Sequence, residues 1–235
     1  ILFSNEKFEV KYIKKFLSKN DFSYINDLLK TSELKKKILV FEVSSKKKII
    51  LVSIKNNLSA IDVESLGAEL YGRINQGKNV EYSLNSNSIS SKQKNFVYHF
   101  LHGLKLKSYE FKKYKTKKDI KLISINVIGN KDKFLTKERV KFKALEEGTF
   151  FARDLVSEPG NILHPDEYVK RINLLKKDGL KITIYDKKKL KKLGMNALLG
   201  VGMGSIRGSY LATMEWNGDK NSSKPLAFVG KGVTF

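Results

Sequence analysis

The chain has 235 residues, 41% hydrophobic and 30% charged, with 46 Lys+Arg against 24 Asp+Glu and a formal net charge of +22. That apolar content can fill one large core or two of ordinary size, and no apolar run is long enough to span a membrane as a helix. With no cysteine there is neither a disulfide scaffold nor a thiolate metal site, and 3 prolines with 16 glycines exclude collagen-like or proline-rich disorder.

The chain opens on Ile1 without a basic leader or a signal-like apolar stretch, and stops at Val233-Thr234-Phe235 without a polar tail. Both ends read as cut, so the sequence is expected to be a piece of a longer protein. Ile38 to Val43 and Ile49 to Ile54 are short apolar runs joined by a polar turn, and predict paired strands buried on at least one face. Val63, Leu66, Leu70 and Ile74 recur at helical spacing behind Asp62, the expected N-cap, with Gly77 the expected stop. Val80 to Leu84 alternates as a strand. Ser90 or Ser91 is expected to open a helix bearing Phe96, Val97, Phe100, Leu101 and Leu104, and Lys121 to Ile128 alternates again.

Strands alternating with helices predict a mixed α/β domain over residues 1–130, bounded by Gly129-Asn130-Lys131-Asp132. A long helix is expected from Thr136 to Val156, stopped by Glu158-Pro159-Gly160-Asn161. Pro165 suits the first turn of a second helix. Leu180 to Tyr185 reads as a strand, with Asp186 capping a lysine-rich helix. Leu193 to Leu199 looks helical, and Tyr210 to Trp216 and Pro225 to Val229 read as strands.

The positive charge first suggests nucleic acid, through phosphate neutralisation. Yet only Arg73, Arg139, Arg153, Arg171 and Arg207 carry the guanidinium fork that reads base edges and grips phosphates in pairs. The lysines lie in scattered runs (Lys35 to Lys37, Lys46 to Lys48, Lys112 to Lys118, Lys187 to Lys192), as on a solvated surface.

Three stretches could carry chemistry. Gly200-Val201-Gly202-Met203-Gly204-Ser205 has the composition of a phosphate loop, but follows a helical segment and leads into a strand, the reverse of a dinucleotide fingerprint. A flexible connection fits it better. His99 and His102 stand three apart amid Phe96, Tyr98, Phe100 and Leu101 without a zinc-like carboxylate spacing, which favours packed or surface histidines over ligands. In Pro225 to Phe235 an apolar run delivers Lys231 between Gly230 and Gly232, at the strand end where open α/β sheets place ligands. On the residues alone Lys231 could bind an anion, form a Schiff base or sit in a solvated turn.

The second half resembles the leucyl (cytosol) aminopeptidase family of two-metal exopeptidases. The resemblance rests on Ala152-Arg153-Asp154-Leu155-Val156-Ser157-Glu158-Pro159-Gly160-Asn161 with Leu163 and Pro165, then on Leu193-Gly194-Met195. It continues through Leu198 to Ser205 and Gly230-Lys231-Gly232-Val233-Thr234-Phe235. Leu106 to Thr116 is similar to the segment that ends the family's N-terminal domain. Ser157 stands where many members have asparagine, and Gly208-Ser209-Tyr210 replaces a stretch that commonly bears proline.

The resemblance implies an α/β protein: a mixed α/β, macro-like N-terminal domain over residues 1–130, then the truncated start of an α/β/α metallopeptidase domain over 131–235. It implies a cytoplasmic, homohexameric parent that releases N-terminal amino acids from peptides, with leucine-type preference, using two divalent ions (Zn²⁺ or Mn²⁺) per subunit. Lys231 matches a direct metal ligand of the family. An ammonium has no lone pair, so it must bind as the neutral amine, which a nearby dication favours. The family's remaining ligands and its catalytic lysine and arginine lie beyond Phe235, so no catalytic residue falls in this chain and the piece is expected to be inactive and metal-free. The alternative is a basic α/β module that binds nucleic acid, with the peptidase half as scaffold.

Overall fold

The computed structural model describes residues 1–32, 36–45, 47–76, 80–117, 121–130, 136–218 and 224–233. They divide into two compact units, Ile1–Ala152 and Arg153–Phe235. Of the sequence expectations, Gly77 as helix stop and the Lys131-Asp132 end of the proposed boundary lie outside the described residues.

The first unit runs β1 (Leu2–Ser4), α1 (Lys19–Thr31), β2 (Ile38–Ser44), β3 (Lys47–Ser53), α2 (Ala60–Ile74), β4 (Glu81–Asn85), α3 (Phe96–Lys107), β5 (Ser124–Ile128) and the first turns of α4 (Thr136–Ser157). β1 pairs parallel to β3 and β2 antiparallel to it, while β4 and β5 pair in parallel. Ile1 N donates to Ser83 O at 2.6 Å and Asn85 N to Ile1 O at 3.0 Å, which ties β1 beside β4. The strands thus run side by side in the order β5-β4-β1-β3-β2.

Both faces of the β1-β3-β2 sheet are covered, whereas β4 and β5 are exposed on one face. Period-2 alternation sends Phe3, Ile38, Ile50 and Val52 into a core with α2 and α3, and Leu2, Leu39, Ile49 and Leu51 into a second core with Ile25 and Leu29 of α1. That is why β3 reads as an unbroken apolar run. Phe3 stands edge-on to Phe96 and Phe100 at centroid distances of 5.3 and 5.2 Å, an aromatic nucleus inside the first core.

Helix ends differ from the sequence expectation in instructive ways. The N-cap of α2 is Ser59, and Asp62 sits one turn inside. Ser59 Oγ accepts from Asp62 N at 3.2 Å while Asp62 Oδ2 accepts from Ser59 N at 3.0 Å, a reciprocal box satisfying two otherwise orphaned donors. Helix α3 begins at Phe96 behind Asn95 in the left-handed region (φ 57°), because Ser91 is spent locally, accepting from Gln93 N. β5 starts at Ser124. Lys121 instead donates to the Ile74 and Asn75 carbonyls at 3.1 and 2.9 Å, closing the C-terminus of α2.

Helices α2 and α3 pack at unusually short range. A Cβ on Gly67 would fall 1.9 Å from Phe100 O, and one on Gly103 would fall 1.9 Å from Glu64 O. Each helix lays a bare glycine against the other's backbone.

The second unit contains the end of α4, then α5 (Pro165–Leu174), β6 (Lys181–Tyr185), α6 (Lys187–Lys192), α7 (Asn196–Val201) and β7 (Leu211–Glu215). β6 and β7 pair antiparallel, Lys181 opposite Glu215. Asp186 caps α6 as expected, accepting from Lys189 N at 2.9 Å. The helical stretch after it is broken: Gly194 (φ 70°) ends α6 with Met195 N donating back to Leu190 O. Gly200 and Val201, expected in a loop, complete α7.

The strand expected at Pro225 to Val229 does not form. Backbone donors in a strand need a neighbour, and none of the described strands pairs with this segment, so Leu226, Phe228 and Val229 stand 81%, 89% and 98% exposed. Among the described residues no helix is long and apolar enough to cross a membrane.

Gly67→Ala should destabilise the first unit by about 3 kcal/mol or more, since the new methyl meets backbone that cannot rotate away. Gly72→Ala, in the same helix with nothing within 4 Å of its Cβ, should stabilise it by about 0.5–1 kcal/mol. Urea midpoints of both variants decide this.

Acid should weaken α1. Asp21 accepts from Lys47 Nζ at 2.5 Å, and this bond, together with hydrogen bonds from Ser18 to the carboxylate, holds its carboxyl below the ordinary 3.8 against the opposing effect of burial. The stabilisation is complete above the unfolded value and fades as pH falls through the lowered folded value. Asp21→Asn should cost about 1 kcal/mol at neutral pH, Lys47 being half exposed, and almost nothing at pH 2. Chemical denaturation at the two pH values measures the difference.

Candidate functional site

The Gly230-Lys231-Gly232 segment is irregular backbone, and all three residues are exposed. Its two glycines face different surroundings. A Cβ on Gly230 would meet nothing within 4 Å, whereas one on Gly232 would stand 2.7 Å from Cε1 of Tyr168. The chain after Lys231 therefore rests against the edge of an aromatic ring carried by α5.

Helix α5 is built to hold still. Pro165 fixes its first turn, and His164 is its N-cap, with Nδ1 3.4 Å from Glu167 N. Asp166 gathers three partners: Tyr210 donates its hydroxyl to Oδ1 at 2.6 Å, while Oδ2 lies 3.2 Å from His164 Nδ1 and 3.8 Å from Arg207 Nη1. The Tyr210 hydrogen bond, helped by the His164 and Arg207 charges, holds the Asp166 carboxyl below the ordinary carboxylate value despite partial burial. The same hydrogen bond, with burial, pushes the Tyr210 phenol up.

One turn on, Arg171 reaches Glu158 Oε1 through Nη1 at 3.0 Å and Glu167 Oε1 through Nε at 3.1 Å. The Glu158 side chain is 1% exposed. Burial works against the Arg171 charge, but the two carboxylates outweigh it and raise the guanidinium further. Removing Arg171 would take the guanidinium from beside the buried Glu158 carboxylate, whereas Arg171 itself keeps a second carboxylate if one of its two is lost.

The glycine-rich stretch packs against its own neighbours. A Cβ on Gly202 would fall 2.0 Å from Ser209 Oγ, and one on Gly208 would fall 2.9 Å from the Tyr210 hydroxyl. These glycines let the chain fold onto itself, and a strand follows them rather than a helix N-terminus.

His99 and His102 do not converge. His99 Nδ1 meets Glu64 Oε1 at 2.8 Å and His102 Nδ1 meets Glu146 Oε1 at 3.2 Å, with both rings edge-on to Phe142. Each imidazole has its own carboxylate and works in packing α2, α3 and α4 within the first unit. Among the described residues no group of three or more His, Cys, Asp or Glu side chains is placed to hold a metal ion.

Lys231 therefore fits as one donor and not as a centre. A neutral amine is a competent ligand for a divalent ion, but such ions take four or more donors. Among the described residues no group of three or more His, Cys, Asp or Glu completes such a set, and no catalytic step follows through a metal from them alone. Sequence reasoning passed over Tyr168, Asp166, Arg171 and Tyr210. The Glu167–Arg171 spacing of four was a visible helix-pair signal. The Tyr168–Gly232 and Asp166–Tyr210 contacts join residues 64 and 44 positions apart and have no local signature.

Residues 150–235 match the cytosol aminopeptidase family, catalytic domain. The chain is 45% identical over 141 residues to the probable cytosol aminopeptidase of Phytoplasma australiense, covering 59% of this chain and 29% of that protein. It is 35% identical over 188 residues to that of Nitrobacter winogradskyi, covering 76% and 37%. The chain thus spans well under half the length of these curated relatives. Among solved structures, a mutant of tomato leucine aminopeptidase superposes with a TM-score of 0.67 at 18% identity, over 80% of this chain and 41% of that one. The bottromycin maturation enzyme BotP in complex with Mn gives 0.65 at 19%, over 80% and 41%. At that identity the likeness carries the fold alone, and it agrees with the α/β expectation. The likeness to the cytosol aminopeptidase family thus lies in its catalytic domain over residues 150–235, and the chain covers only part of the relatives that share it.

Proposed function

We propose that this chain is part of a longer metal-dependent aminopeptidase that releases N-terminal amino acids, with a leucine-type preference, from peptides. The observation that carries the reading is the Gly230-Lys231-Gly232 segment, which lies inside the matched catalytic region and is open on the Lys231 side. In this reading residues 1–130 form the N-terminal domain and 131–235 the start of the catalytic domain, and the parent is a cytoplasmic homohexamer.

Lys231 is one ligand of a pair of divalent ions, Zn²⁺ or Mn²⁺, with the other ligands supplied by parts of the polypeptide outside this chain. When bound, such ions polarise a peptide carbonyl and activate water. The task of this chain's own residues is to present the Lys231 side chain to the ion. The flanking glycines let the backbone come close to the ion, and the exposed Lys231 side chain keeps a free path to it.

The longer polypeptide should hydrolyse leucine p-nitroanilide with Mn²⁺ or Zn²⁺, and Lys231→Met should lower kcat/KM by about 100-fold or more. Full turnover after that substitution would overturn the reading. The 235-residue chain by itself should show no turnover with either metal. Metal-dependent hydrolysis by it would refute the need for further ligands.

A further inference from the structure

We propose that the uncovered face of α4 seats an apolar helix from the part of the polypeptide that lies outside this chain. The inference rests on one element of the reading above, that the chain is part of a longer protein, and adds a docking surface to it.

Helix α4 is apolar on two faces. Phe142, Glu146 and Phe150 share one of them, and the first unit covers it. Phe142 stacks on Tyr98 with ring centroids 5.7 Å apart, Glu146 meets His102 at 3.2 Å, and Phe150 meets Tyr109 at 5.2 Å. On the far side Val140, Ala144, Leu145, Gly148, Phe151 and Ala152, all within the first unit, fall in an arc of about 140° at 3.6 residues per turn. All six are exposed, Val140 by 62%, Leu145 by 48% and Phe151 by 38%. Lys141 falls in the same arc, but its ammonium turns back to the Phe142 ring, 5.9 Å from the centroid. A helix that faces water keeps that side polar, as α1 does with Ser23, Asn26, Asp27 and Lys30. Helix α4 instead has the pattern of a helix held between two partners.

The relief of the face selects the kind of occupant. Small residues recur every fourth position along its middle, with Val140, Leu145 and Phe151 at its margins, a groove into which the ridge of a second helix fits. Two observations select its source. The family match begins at residue 150, on this helix, while the chain spans only 29% and 37% of two relatives, so most of such a protein lies outside it. Pairing α4 with a second copy would instead bring together two chains of net charge +22, with Lys137, Arg139, Lys141 and Lys143 exposed on the same helix.

The test is thiol accessibility, in a chain without a cysteine of its own. Leu145→Cys places a thiol on the face, and Lys143→Cys, at a side chain 71% exposed between the two faces, is the control. Modification by iodoacetamide is followed by peptide mapping, so that cysteines elsewhere in the longer polypeptide do not count. Leu145→Cys should react about tenfold more slowly in the longer polypeptide than in this chain, and Lys143→Cys within about twofold in both. Gly148→Leu gives a second readout. In this chain, where nothing lies within 4 Å of its Cβ, it should leave the melting temperature unchanged or raise it. In the longer polypeptide it should lower it by about 3 °C or more, by holding the second helix off.

Equal labelling of Leu145→Cys in the two proteins, or a Gly148→Leu shift of the same sign in both, would overturn the proposal. Protection that fades on dilution would assign the face to a second copy and overturn it as well. Neither readout uses activity, which keeps the two levels apart. Protection of Leu145→Cys in a longer polypeptide that fails to hydrolyse leucine p-nitroanilide sinks the aminopeptidase reading alone, whereas turnover without protection sinks this inference alone.

Discussion

The first unit depends on a contact between two backbones. Gly67 faces the Phe100 carbonyl and Gly103 faces the Glu64 carbonyl, each with room for a hydrogen and nothing larger. Helices that close bring their side-chain rows into register on either side of the crossing. Leu66 and Leu70 from one helix and Phe96, Phe100 and Leu104 from the other then meet over Phe3 and Val52 of the sheet. The same approach sets Glu64 within 2.8 Å of His99. The two histidines sit on the face of α3 that receives Phe142, so their apolar surroundings reflect a third helix packing there.

Much of this unit was legible because its signals are local. Apolar runs gave β2 and β3, and helical spacing gave α2 and α3. What the runs withheld was which faces are covered. Ile49 to Val52 reads alike whether one or both faces are buried, and only α1, with Ile25 and Leu29 against Leu51, settles it. The caps were misplaced for a related reason. Ser59, Asp62, Ser90, Ser91 and Asn95 are all acceptable cap residues, and the choice among them turned on a reciprocal bond at Ser59 and on Ser91 being spent in a turn. Propensity ranks candidates, whereas hydrogen-bond competition selects one.

In the second unit local chemistry outruns packing. Caps at His164 and Asp186, the Gly194 helix stop and the Arg171 fork are all formed. Large apolar side chains nevertheless remain in water, Ile206 and Val229 almost wholly and Met203, Leu226 and Phe228 by more than four-fifths. Hydrogen bonds close over a few residues, but an apolar strand needs a partner along its edge and a cover on its face. The Pro225 to Val229 stretch has the composition of a strand and lacks both among the described residues. The strand expectation for this stretch does not hold, because apolar composition alone supplies no partner for its backbone donors.

The candidate ligand segment shows the same division between composition and placement. Gly-Lys-Gly could be read directly, and on the residues alone a solvated turn is favoured over anion binding and Schiff-base chemistry. The structure distinguishes the surroundings of the two glycines. A side chain at Gly230 would meet open space, whereas one at Gly232 would meet a close wall, the Tyr168 ring. The ring stands on a helix pinned on both sides of it, by Asp166 to Tyr210 and by Arg171 to a glutamate that water does not reach. Arg171 is held by two carboxylates, Glu158 and Glu167, so the helix keeps one of these ties if the other is lost.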